Sequence, residues 1–135
     1  MPKAFDASTA DAAAWPGATP PLFLSALTLR SASFADRIPA AGRAGFAGIG
    51  MGAADYLDAR RSGFSETEIG EYITTHGLRV VELEFLRDWW ADADTRGMRL
   101  EEDILFHLAS LLGAEQINVG LLVKSTLEYI NRHEK

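Results

Sequence analysis

Apolar residues fall in short runs separated by amphipathic stretches. Leu22-Phe-Leu-Ser-Ala-Leu-Thr-Leu29 is nearly continuous, bounded by Pro20-Pro21 and Arg30-Ser31, which predicts a first strand covered on both faces. Phe46-Ala-Gly-Ile-Gly-Met51 predicts a glycine-rich second strand, followed by a loop or helical turn over Ala53 to Asp58. Leu78 to Leu86 and Glu115 to Gly120 predict a third and a fourth. Between them lie helix signals. Ser33 is placed as N-cap of a helix from Phe34 to Ala44, with Asp36 in the first turn and Gly45 after the end. Pro39 lies inside that span and predicts a kink or a late start. Ser65-Glu-Thr-Glu68 has the capping-box pattern for a helix running to His76 and ended by Gly77. A further helix is expected from Leu100 to Leu112, ended by Gly113, and a last one from Val123 to Arg132. That last helix places Val123, Leu127 and Ile130 along one side and pairs Lys124 with Glu128.

Strands separated by helices of this length require crossover connections, and hence a parallel sheet covered by helices. The fold class is therefore α/β with about four parallel (β/α) units, a doubly wound sheet or the first half of a TIM barrel. Met1 to Pro21, rich in Ala, Pro, Thr and Asp, reads as a flexible leader. Residues 22–135 form the partial (β/α) barrel domain.

Composition narrows the function. With 47% hydrophobic and 24% charged residues the chain has the balance of a globular domain. The absence of cysteine removes disulfides and thiolate chemistry and gives no reason to invoke an oxidising compartment, so a cytoplasmic location is expected. A formal charge of −6 with scattered Lys and Arg argues against nucleic acid as a partner. No apolar run approaches a membrane span, so no membrane association is expected.

Candidate chemistry sits at the C-terminal ends of the strands. Strict alternation along the third puts Val80, Glu82 and Glu84 on one face and Val81, Leu83 and Phe85 on the other. In a barrel the acidic face looks into the lumen, with Glu84 near the mouth where active sites lie. The same phase directs Thr28 and Arg30 from strand one, and Gln116 and Asn118 from strand four, toward a floor suited to a polyhydroxylated or anionic ligand. Asp88, Trp89 and Trp90 follow strand three, where tryptophans can stack on a sugar or anchor an interface. Either glutamate can equally serve as an ion-pair partner on an exposed face. Gly48-Ile-Gly-Met-Gly52 only partly imitates a dinucleotide fingerprint. His76, His107 and His133 have no second ligand at metal-binding spacing, and His76 fits a helix C-terminus.

Ser33-Phe34, Ala41-Gly-Arg-Ala-Gly-Phe-Ala-Gly-Ile49, the capped helix at Ser65, Gly77-Leu-Arg-Val-Val-Glu-Leu83 and Leu112-Gly-Ala-Glu-Gln-Ile-Asn-Val119 occur in that order. This pattern, over Leu22 to Gly120, resembles the sugar phosphate isomerase/epimerase group of xylose isomerase-like TIM barrels. The resemblance implies a divalent metal (Mg, Mn or Zn) that binds sugar hydroxyls and acts as a Lewis acid while a proton or hydride moves between neighbouring carbons. In that family the metal-binding carboxylates and histidine come from later strands, so no metal ligand is transferred to this chain. Gly50 stands where the family often has an acid.

The expectation is thus a truncated or incomplete sugar isomerase/epimerase-like protein, with Arg30, Glu84, Trp89 and Asn118 as substrate contacts and little activity in isolation. The alternative is a non-catalytic half-barrel that forms a homodimer or pairs with a complementary half, and a third is a nucleotide-binding module at Gly48 to Gly52. Unpaired sheet edges make partnering the expectation for a half-barrel.

Overall fold

The computed structural model describes residues 19–87 and 99–120. Its elements run β1 (Phe23–Leu24), α1 (Phe34–Arg43), β2 (Gly48–Met51), α2 (Ala53–Arg61), α3 (Glu66–Thr75), β3 (Arg79–Arg87), α4 (Arg99–Leu112) and β4 (Gln116–Gly120). The strands form one sheet in the order β1-β2-β3-β4, every neighbouring pair parallel. The leader as far as Ala18, the Asp88-Trp89-Trp90 segment and the last predicted helix lie outside the described residues. No helix among those described is long and apolar enough to cross a membrane.

Local chemistry explains most boundaries. Ser33 accepts the Asp36 amide at 3.1 Å and opens α1, while Asp58 from α2 takes the Phe34 amide at 2.7 Å. Ser65 and Glu68 exchange bonds of 3.2 and 2.7 Å as a capping box, and Gly77, at φ 75°, ends α3 in a conformation that suits glycine. His76 Nδ1 sits 2.8 Å from the Tyr72 carbonyl, within the last turn. α2 is a full helix where the sequence predicts only a loop or turn.

Pro39 does not delay α1, which begins at Phe34. A proline at 39 removes the amide that would bond the Ala35 carbonyl four residues earlier. Tyr72 from α3 supplies the missing donor, its hydroxyl giving a 2.9 Å bond to Ala35 O.

The first strand is much shorter than its apolar run. Ser25 O accepts the Thr28 amide at 3.0 Å and Ser25 Oγ accepts the Leu27 amide at 3.1 Å. These local bonds turn the chain after Leu24, since a serine side chain competes with the sheet for backbone donors. Thr28 and Arg30 therefore lie on exposed turns, and the strand phase that aimed them at the mouth does not apply.

All four helices bury residues on one face of the sheet. Phe34, Ile38 and Ala41, Ala53 and Ala59, Ile69 and Ile73, and Ile104, Leu105 and Leu108 meet Leu24, Ile49, Met51, Val80 and Leu83 in a single core. Outside it, Tyr56 and His107 both reach Glu66 Oε1 at 2.7 Å, linking α2, α3 and α4.

Strict alternation fails twice along β3. The register slips between Ile49 and Gly50, where Ile49 pairs with Val80 but Gly50 pairs with Glu82. Val80 consequently joins the helix-side core, and Val81 lies over Gly48, its Cγ1 2.9 Å from where a Cβ there would be. A second slip between Glu84 and Leu86 packs Leu86, rather than Phe85, against the core. Each irregularity inserts one residue and reverses the phase beyond it. The predicted grouping of Val80 with the glutamates, and of Phe85 with Leu83, is corrected accordingly.

Candidate functional site

Beyond the ends of β1, β2 and β3 lies a cavity of about 270 Å³. The β1 turn contributes Ala26, Leu27 and Arg30, the entry to α2 contributes Gly52 and Asp55, β3 contributes Glu84, Phe85 and Arg87, and α4 contributes Glu101 and Leu105. The position is where a parallel α/β sheet presents its loops to a ligand.

Glu84 is held from two sides. Ser25 Oγ lies 3.1 and 3.0 Å from its two carboxylate oxygens and donates its hydroxyl to them. Burial raises the pKa of Glu84, and its hydrogen bond with Glu82 and the Glu82 charge raise it further; Ser25 opposes the shift. Glu82 moves the other way, its pKa lowered first by the hydrogen bond from Glu84 and then by donors from Asn118 and Gln116. Asn118 Nδ2 is 2.8 Å and Gln116 Nε2 3.3 Å from Glu82 Oε2. The two carboxyls are thus pushed apart in affinity for a proton, Glu84 upward and Glu82 downward.

The predicted floor divides into two parts. Arg30 and Glu84 line the cavity, whereas Asn118 and Gln116 act on Glu82 beside it. Trp89 is outside the described residues. Arg87, 3.6 Å from Glu101, adds a second guanidinium to the cavity wall.

Sequence reasoning missed three residues. Ser25 carries no local signal, because its partner is 59 positions away. Arg37, only 2% exposed, bonds Ala26 O through Nη1 at 3.2 Å and pairs with Asp55 at 2.9 Å. Asp55 in turn accepts the Gly52 amide at 2.8 Å. Arg37 therefore ties the β1 turn to the start of α2, two walls of the cavity. Its signal was readable: it lies three residues after Phe34 on the apolar stripe Phe34-Ile38-Ala41, where a charge requires a partner.

The glycines of β2 have a packing role. A Cβ at Gly50 would lie 2.9 Å from Ala26 N and 3.0 Å from Glu82 Oε1. No acidic side chain fits where the β1 turn and Glu82 already approach. A helix does begin after Gly52, but Asp55 takes the amide that a phosphate would need, which removes the basis for a nucleotide there.

Among the described residues no three His, Cys, Asp or Glu side chains converge to hold a metal ion.

No protein-family model and no curated protein sequence matches the chain. Among solved structures, a xylose isomerase-like TIM barrel/4-hydroxyphenylpyruvate dioxygenase fusion protein superposes with TM-score 0.57 at 20% identity over 72% of this chain. The fold, an open parallel α/β sheet, resembles part of a TIM barrel. Also similar is a family 2 AP endonuclease from Brucella melitensis, with TM-score 0.49, 22% identity and 81% of this chain covered. The partial barrel spans 15% of the length of the fusion protein and 46% of that of the endonuclease.

Proposed function

We propose that the cavity is the substrate site of a sugar isomerase/epimerase-like protein and binds a small sugar or sugar-derived polyol, most favourably one with an anionic group. The observation that carries this reading is Glu84, fixed by Ser25 inside the cavity at the C-terminal ends of the strands, with Arg30 and Arg87 on the same walls. A carboxylic acid in its neutral form donates to a ligand hydroxyl or carbonyl oxygen, and the two guanidinium groups accept a carboxylate or phosphate. A proton shift between neighbouring carbons needs one group to remove a proton and another to protonate oxygen. Glu84 in the cavity and Glu82 beside it are two carboxyls placed for such a step. Asn118 acts on this pair through Glu82. Turnover by these residues alone is expected to be low.

The test is a titration of the labelled chain with a neutral polyol, a sugar phosphate and a sugar acid, followed by amide NMR. Saturable shifts are expected at Leu27, Gly52 and Glu84, strongest for the anionic ligands. Arg30→Ala should weaken anion binding by about tenfold, the usual cost of a lost charge-assisted hydrogen bond. Uptake of deuterium from heavy water at a ligand carbon, lost in Glu84→Gln, would report the proton shift. No saturable shift with any of the three at millimolar concentration would remove the reading.

A further inference from the structure

The outer edges of β1 and β4 have no strand partner among the described residues. Exposed apolar side chains gather at the same places. Leu22, just before β1, is 65% exposed and Val119 on β4 is 54% exposed. The Leu22 carbonyl accepts the Ala47 amide at 2.9 Å, so the edge backbone at Leu22 is already extended along β2. A strand edge with apolar neighbours is a template for another strand.

We propose that these two edges join those of a second copy of the chain, β4 of each against β1 of the other. The described sheet has four strands and parallel (β/α) barrels close with eight, the number that two copies of this sheet supply. A twofold axis along the barrel keeps the paired strands parallel and forms both seams at once, leaving no open edge. A β4-to-β4 contact would instead run antiparallel and leave both β1 edges uncovered. In the closed arrangement the faces bearing Glu82 and Glu84 look toward each other. This inference concerns the edges and does not require the cavity to bind a sugar.

Two seams of unlike edges give a distinctive mutational pattern. Leu22→Lys alters only the β1 edge and Val119→Lys only the β4 edge, and both positions are more than half exposed, so each monomer should fold. Light scattering of the unmodified chain should give twice its 14.7 kDa mass. In either variant alone both seams are damaged, and dimerisation should weaken by at least about tenfold for a charge placed on a strand edge. In an equimolar mixture, one seam joins the intact β4 of Leu22→Lys to the intact β1 of Val119→Lys. The mixture should therefore contain more dimer than either variant alone at the same total concentration. Circular dichroism confirms that each variant keeps its secondary structure. A folded monomer at all concentrations would overturn the proposal and leave the edges to strands of a longer chain or another protein. A dimer insensitive to Leu22→Lys, or a mixture no better than its components, would also overturn it.

Discussion

Two carboxyls two residues apart on one strand ordinarily repel; here the arrangement around Glu84 and Glu82 separates their titrations. Burial and the neighbouring acid hold Glu84 in its neutral form to higher pH, while the hydrogen bond from Glu84 and the donors Asn118 and Gln116 keep Glu82 ionised to lower pH. The stability linkage follows in sign. Relative to an unfolded glutamate near pH 4.3, Glu84 contributes stability that is full below that pH and is lost as pH rises through its elevated native value. Glu82 contributes above about pH 4.3, and its share is lost as pH falls through its depressed value. Glu82→Gln should bring the Glu84 titration back toward the ordinary range, leaving only the part due to burial, and Ser25→Ala should move it higher. Carbon NMR of the labelled carboxyl reads both, and a Glu84 titration unmoved by Glu82→Gln would refute the coupling of the two carboxyls. Arg37 makes a separate demand, because its guanidinium is buried and paired with Asp55. Arg37→Met keeps much of the packing but strands Asp55, and should cost about 3 kcal/mol in urea unfolding, as breaking a buried pair does. A loss below about 0.5 kcal/mol, the range of surface substitutions, would mean that solvent already satisfies Asp55.

At the level of elements, α1 and α3 are joined by the repair of a proline defect. Tyr72→Phe should cost about 1 kcal/mol, because the Ala35 carbonyl is left without a donor. Pro39→Ala restores an amide at that position, so in its background Tyr72→Phe should cost clearly less. The coupling energy from the four denaturation curves checks this, and purely additive effects would exclude the repair. Such a bond could not be read in the sequence, since Tyr72 lies 37 positions from Ala35. The caps could be read, because Ser33-to-Asp36 and Ser65-to-Glu68 are complete within four residues. The order of strands and helices was legible for the same reason: runs of apolar residues and glycine stops are local. What failed was phase and extent. The bulges at Val81 and near Phe85 depend on neighbouring strands, and the early end of β1 depends on a turn made by Ser25. Glu84 could be placed at the mouth despite this, because both slips leave it on the same face as Glu82. Ser25, its clamp, could not.

For the whole molecule, the question is how a sheet with helices on one side meets water on the other. The helix side holds one continuous core, while the opposite face carries Arg79, Glu82, Glu84, Gln116 and Asn118. Arg79 pairs with Glu115, and Asn118 and Gln116 donate to Glu82, so these polar groups have partners on the side away from the helices. The edges are different, because Leu22 and Val119 gain from burial that the described residues do not provide. If two copies join there, folding and association become one equilibrium, and stability depends on concentration. A hundredfold increase in protein adds about 2.7 kcal/mol per dimer by mass action. Spread over the unfolding entropy of two 135-residue chains, this should raise the thermal midpoint by about 5 °C. The rise should shrink in Leu22→Lys and Val119→Lys and recover in part in their mixture. A reversible midpoint independent of concentration would show that each sheet is stable with its edges open to water, and that β1 and β4 do not meet in a second copy.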